Sequence, residues 1–236
     1  MTDTATTPTP DGSAKGNIRC VLVYPAFNRI WHWSQAGSIF LLMFTGARLM
    51  GMHQILSFET AVTVHTLTAL ALLLLWLFAT FWLFTTEAWK QFIPKTEGLF
   101  RVMRFYAWGV FHGEEHPYRK SYKRRHNPLQ ALAYLAVKIA LFPAIWVSGL
   151  IYLGYGLWDD LDNASFLLQI VANIHILSAF SIAAFVVVHT YLLTIGHGFL
   201  HHIRPMIFGF EKVELTAEEE AYFMADMPER LRTPRH

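Results

Sequence analysis

Two histidines, His175 and His189, stand fourteen residues apart in the apolar stretch FLLQIVANIHILSAFSIAAFVVVHTYLLTI, residues 166–195. A neutral imidazole nitrogen is the commonest metal ligand a protein owns. On an α-helix fourteen steps of about 100° return to within roughly 40° of the starting direction and rise about 21 Å. The two imidazoles therefore share a face at two depths of a segment long enough to cross a bilayer. The residues between them on that face are Ser178, Ala179, Ile182 and Val186, and the small ones beside His175 leave room for a flat, bulky group. A hydrogen-bonded packing histidine is the competing account for either residue taken alone.

The rest of the chain supplies the elements that must position them. It has 236 residues, 54% hydrophobic, with eight Trp, nine Tyr and nineteen Phe and a mean hydropathy of +0.32. That is a membrane protein's balance, with aromatic belts at the ends of apolar runs. Residues 1–17 read as a disordered tail with no apolar stretch of a cleaved signal peptide. Four spans follow, at about Arg29–Met50, Thr60–Phe84, Pro128–Leu153 and Phe166–Ile195. In the third, Pro143 is expected to kink the helix and Gly149 to permit close packing. Residues 85–127 read as a polar stretch with one or two interfacial helices. Residues 196–236 read as a cytoplasmic segment containing a helix started by Thr216. The expectation is thus an all-α integral membrane four-helix bundle over residues 18–195.

Charge orients it. The loop between the second and third spans holds Lys90, Lys95, Arg101, Arg104, Arg119, Lys120, Lys123, Arg124 and Arg125, whereas the link WDDLDNAS between the third and fourth holds no cation. By the positive-inside rule that loop and both termini are cytoplasmic. Of twelve histidines, only His32, His65, His175 and His189 lie inside apolar spans. This orientation sorts them by depth into a cytoplasmic pair, His32 with His189, and an outer pair, His65 with His175. One cysteine, Cys20, excludes an internal disulfide, an iron–sulfur cluster and a CxxCH haem attachment. Paired imidazoles on opposite faces of a planar macrocycle hold a haem iron, and filling both axial positions favours electron transfer over oxygen chemistry. Fourteen residues beyond His32 and His65 stand Gly46 and Ala79, small enough for a ring edge to pass. A haem-free membrane anchor or a metal permease using the same histidines is the alternative from another class; metal paths usually recruit carboxylates, and the span interiors hold none.

With R-x-x-H-W at Arg29–Trp33, N-P-L-Q at Asn127–Gln130 and the fourteen-residue histidine spacing, the chain resembles the di-haem cytochrome b subunits of the bacterial cytochrome b561 superfamily. Those subunits anchor [NiFe]-hydrogenases, formate dehydrogenases and thiosulfate-reductase-type enzymes in the bacterial inner membrane. The resemblance covers about residues 19–212 and implies haem b ligation by His32, His65, His175 and His189 in the pairing already given by depth. It further implies a redox partner subunit at the outer side and quinone docking beside the cytoplasmic haem, at Asn127 and Gln130 with His126 nearby. An amide donor and a titratable imidazole suit a quinone carbonyl and its protons. Asn127 and Pro128 are equally the ordinary start of a helix. Arg29 and Arg48 are candidates to pair haem propionates, or to snorkel to headgroups. A free-standing quinone oxidoreductase of the same fold is the alternative function.

The other histidines carry weaker expectations. His197, His201 and His202 form an H-x-x-x-H face that more simply reads as solvated than as a zinc site. His112 and His116 read as exposed loop residues, His53 as a contact just outside the first span, and Glu218–Glu220 as part of a soluble helix.

Overall fold

The computed structural model describes residues 17–87, 89, 98–114, 128–194 and 199–232. Outside the described residues lie the tail 1–16, His116, His126, Asn127, His197 and seven of the nine loop cations, Arg101 and Arg104 being the two described; the side chains of His201 and His202 are likewise not described. The chain divides into two compact units, one from 1–29 with 197–236 and the other from 30–196.

The described chain begins in strand β1, Asn17–Leu22, and enters helix α1, Ala26–Leu49. Helix α2, Phe58–Thr85, is started by Ser57, whose hydroxyl accepts from the Thr60 amide at 3.0 Å and so satisfies one of the donors left open at a helix start. Arg48 closes the turn between α1 and α2, donating from Nε to the Leu56 carbonyl at 2.7 Å with its guanidinium 5.8 Å from the Phe58 ring centroid. His53 is held in the same turn, stacked on Phe44 at 4.6 Å between centroids, with Nε2 2.9 Å from the Phe44 carbonyl. Helix α3, Leu99–Ala107, is the amphipathic piece expected of the polar stretch, burying Val102 and Phe105 and exposing Arg101 and Arg104. Arg104 pairs with Glu114 at 2.8 Å, and His112 stacks on Trp108 at 4.3 Å.

The third apolar stretch is a continuous run of helix α4, Pro128–Ala136, a π-helical turn at Val137–Leu141, and helix α5, Phe142–Leu153. Pro143 has no N–H to give the carbonyl one α-turn back, and the wider turn just before it, in which the Phe142 amide reaches the Val137 carbonyl, is how the ladder absorbs that loss. Helix α6, Ala164–Leu192, completes this unit. Val137, Phe142 and Ile182 form its core, with Ile39, Trp76, Leu141, Ile145, Trp146 and Phe185 packed around them, so α1, α2, α5 and α6 all contribute. On α6, Ser178 and Ile182 are buried with Ala179 and Val186 half-buried, the inward face that the spacing of His175 and His189 defines.

Outward, the helices are apolar. Leu74 and Phe81 on α2 are 67% and 66% exposed, and Leu177 on α6 is 69% exposed. Water would not tolerate such surfaces; hydrocarbon does. Among the described residues three segments are long and apolar enough to cross a membrane, Phe58–Thr85, Pro128–Leu153 and Ala164–Leu192. This is a mainly helical, multi-pass membrane protein.

The second unit adds a small sheet that periodicity did not reveal. Strand β2, Phe210–Leu215, pairs antiparallel with β1 in the register Leu22 to Phe210 and Asn17 to Leu215, and strand β3, Leu231–Arg232, flanks β1 on its other edge. Helix α7, Phe199–Phe208, precedes β2, and helix α8, Ala217–Asp226, follows it. Thr216 caps α8 as expected, in a full capping box with Glu219. Val21, Leu215 and Phe223 are buried here, and Arg19 donates to Glu220 at 2.7 Å.

Gly209 joins α7 to β2. Its carbonyl accepts from the amides of Val23 and Tyr24 at 2.8 and 3.1 Å, and its φ is +88°. A Cβ there would stand 2.8 Å from the Tyr24 carbonyl oxygen. Gly209→Ala should therefore destabilise this unit by roughly 1–3 kcal/mol, seen as faster proteolysis C-terminal to residue 208 at unchanged protease susceptibility of α2 and α6.

Candidate imidazole pairs in the helical unit

The four histidines of the helices α1, α2 and α6 are brought together two by two. The rings of His32 on α1 and His189 on α6 have centroids 6.5 Å apart, inclined at 49°; those of His65 on α2 and His175 on α6 are 6.4 Å apart, inclined at 67°. All four are half-buried. Because His175 and His189 sit on one helix, the two pairs are stacked along it, about 21 Å apart by the helix rise.

Each ring has a distinct environment. Thr45 on α1, fully buried, places Oγ1 2.9 Å from His65 Nδ1 and 2.8 Å from the Leu41 carbonyl. Ser148 on α5, also buried, places Oγ 3.2 Å from His175 Nδ1 and 2.6 Å from the Ala144 carbonyl. A glycine follows each hydroxyl. A Cβ on Gly46 would stand 3.5 Å from His65 Cε1, and one on Gly149 3.1 Å from His175 Cε1. Gly149 thus permits the close packing expected of it, against an imidazole edge. Gly46 is close to the His65 ring itself. Ala79, fourteen residues beyond His65, is buried.

The other pair is held by aromatic contacts. Phe185, one turn before His189, stacks on it at 5.7 Å and 18°, and Tyr134 on α4 meets it edge-on, with the hydroxyl 3.5 Å from Nδ1. Trp33 lies edge-on to His32 at 5.3 Å. His32 Nδ1 is buried with no hydrogen-bond partner among the described residues.

Of the remaining sequence candidates, Gln130 lies half-buried in the first turn of α4, and its neighbour Asn127 falls outside the described residues. Arg48 is engaged by the turn after α1, as described. Arg29 donates from an Nη atom to the Ile207 carbonyl at 2.5 Å, and its Nε is buried without a partner among the described residues. Among the described residues no three His, Cys, Asp or Glu side chains converge to hold a metal ion.

Three features were not singled out by sequence reasoning. Thr45 and Ser148 are ordinary helix residues by type; only the glycine after each, one turn or so from a facing imidazole, hints at their contacts. Lys138 stands in the π-helical turn, with Nζ 5.6 Å from the Trp31 ring centroid. A lone cation in an apolar stretch was a readable signal.

Comparison with known proteins agrees with this architecture. Residues 23–209 match the family model described as prokaryotic cytochrome b561. The chain is 27% identical over 206 residues to an Escherichia coli (strain K12) protein named "Putative cytochrome YdhU", an alignment covering 85% of this chain and 78% of that one. No solved structure matches it. With both imidazole pairs set among apolar helices and the match running from Val23 to Gly209, the chain belongs to the prokaryotic cytochrome b561 family, whose members are haem-bearing electron-transport proteins of membranes.

Proposed function

We propose that this chain holds two b-type haems, one between His32 and His189 and one between His65 and His175, and passes electrons between an outer-side redox subunit and quinone at the cytoplasmic side. The observation that carries this is the separation within each imidazole pair. Two metal–imidazole bonds of about 2 Å, with the half-width of each ring added, put ring centroids roughly 6 Å apart. The measured 6.5 and 6.4 Å fit that requirement. The donor set argues in the same direction. A bare metal ion asks the protein for three or four ligands, whereas a haem brings four nitrogens of its own and needs only two from the chain. The histidines come in twos, and among the described residues no third ligand joins them. A haem iron held by two imidazoles supplies a one-electron couple with no open position for oxygen.

The strand pairing supports a fourth crossing. β1 and β2 are hydrogen-bonded neighbours, so they lie on one side of the membrane. The chain from Leu22 to Phe210 then crosses an even number of times. Three stretches qualify by composition, and α1, whose 24 residues span about 36 Å, makes the number even. Its mean hydropathy is lowered by the polar groups it turns inward, His32 and Thr45 among them. Four crossings put both termini on the side of the basic loop, the cytoplasm.

Quinone reduction consumes two electrons and two protons, and quinol oxidation returns them; the cytoplasmic edge of α4 is where both the His32–His189 pair and the aqueous phase are near to hand. Gln130 is a described residue of the first turn of α4 whose side-chain amide can donate to a quinone carbonyl, and Asn127 and His126 are its sequence neighbours.

Three measurements test this reading. A reduced-minus-oxidised spectrum with pyridine haemochrome quantification should give two haem b per chain, with one lost in His175→Ala and one in His189→Ala; no haem, or a haem indifferent to both substitutions, overturns it. Gly149→Val, which crowds the His175 edge, should empty the His65–His175 site and leave the other filled. Gln130→Leu should slow quinone-dependent reoxidation about tenfold, the effect of one lost buried hydrogen bond, at unchanged haem content.

A further inference from the structure

The two imidazole pairs differ in what their outer nitrogens touch, and the difference assigns tautomers. A hydroxyl carries one proton. In Thr45 that proton has a carbonyl of the preceding turn to go to, Leu41 at 2.8 Å, and in Ser148 it has Ala144 at 2.6 Å. A carbonyl can only accept, so each hydroxyl donates backwards along its own helix and offers a lone pair forwards. The group facing that lone pair must then donate, which places the proton of His65 and of His175 on Nδ1. Both Nε2 atoms are left bare. In each case the next residue is glycine, Gly46 or Gly149, and a Cβ there would stand 3.5 or 3.1 Å from the ring's Cε1. The lone pair of the hydroxyl favours that tautomer; a Cβ at Gly149 would crowd the ring edge, whereas one at Gly46 would meet it at ordinary van der Waals distance.

Among the described residues nothing comparable serves the other pair. His32 Nδ1 is buried with no hydrogen-bond partner among the described residues. His189 Nδ1 has the Tyr134 hydroxyl at 3.5 Å, beyond the distance of a well-formed hydrogen bond.

We infer that Thr45 and Ser148 are positioning residues that hold His65 and His175 as Nδ1–H tautomers and make them the more basic pair of ligands, setting the haem site between them at a lower reduction potential than the His32–His189 site. This rests on the two-haem reading above. An imidazole that donates its outer N–H to an acceptor is the stronger electron donor through its inner nitrogen. Stronger donation favours ferric over ferrous iron and so lowers the potential of the one-electron couple; axial ligation and hydrogen bonding to it are levers by which a protein tunes haem.

The test is an optical redox titration of the purified, full-length, haem-loaded protein, with the oxidised state followed by electron paramagnetic resonance. Thr45→Val removes the hydroxyl at constant volume, Thr45→Ser keeps it, and Ser148→Ala removes the second one from an independent helix. The expected result is that the wild-type haem lost in His65→Ala has the lower midpoint. Thr45→Val and Ser148→Ala should each raise that midpoint by about tenfold in the reduction equilibrium, the low end of outer-shell effects, which for one electron is ~59 mV. The other haem should keep its midpoint, and Thr45→Ser should titrate like wild type. Two haems with potentials unmoved by Thr45→Val and Ser148→Ala, a shift shared equally by both, or a Thr45→Ser shift as large as that of valine would overturn this inference and leave the two-haem reading standing. Absence of haem from the wild type would overturn both.

Discussion

An imidazole has two nitrogens, and in an apolar interior neither can be ignored: one must be left bare for whatever it binds, and the other is a buried polar atom that wants a partner. The helical unit is arranged around that constraint. His65 and His175 meet it with hydroxyls from neighbouring helices, Thr45 on α1 and Ser148 on α5. Because those hydroxyls already lean on carbonyls of their own helices, they need nothing further from the environment. His189 meets it only loosely, through stacking with Phe185 and a distant Tyr134 hydroxyl. The helices must then approach to within reach of these short side chains, and Gly149, where a Cβ would stand 3.1 Å from His175 Cε1, is what permits it between α5 and α6.

Much of this was legible in the sequence because it is local. A 3.6-residue repeat places His175, Ser178, Ile182 and His189 on one face, and the structure turns that face inward. The long apolar runs, the amphipathic piece at 99–107, the cap at Thr216 and the close-packing role of Gly149 follow from residue type and spacing in the same way. The pairing of histidines by depth needed one more ingredient, the charge asymmetry of the loops, and the structure brings together the same residues.

What was not legible depends on partners distant in sequence. The strand Asn17–Leu22 is too short and too mixed in polarity to announce itself, and it exists because Phe210–Leu215 lies alongside. Thr45 and Ser148 are anonymous until the facing helix is known. Pro143 marks where the ladder lacks an N–H, but that the chain answers with a π-helical turn at Val137–Leu141 is not written in residue type. Arg48 offered two readings, a carboxylate partner or a headgroup anchor; the structure shows it closing the turn after its own helix through the Leu56 carbonyl.

The pairing of β1 with β2 also imposes an order in time. β1 leaves the ribosome before the described helices, and its partner strand emerges after α1 to α7, since Leu22 is matched to Phe210. Until then β1 has amides and carbonyls with no strand partner along both edges. β1 and β2 can pair only when α6 and α7 have been made, and β3 joins the other edge only after α8, so a closed sheet is a molecular record that every preceding segment is present. A chain halted anywhere between those strands keeps an open edge, the kind of surface that chaperones and proteases recognise.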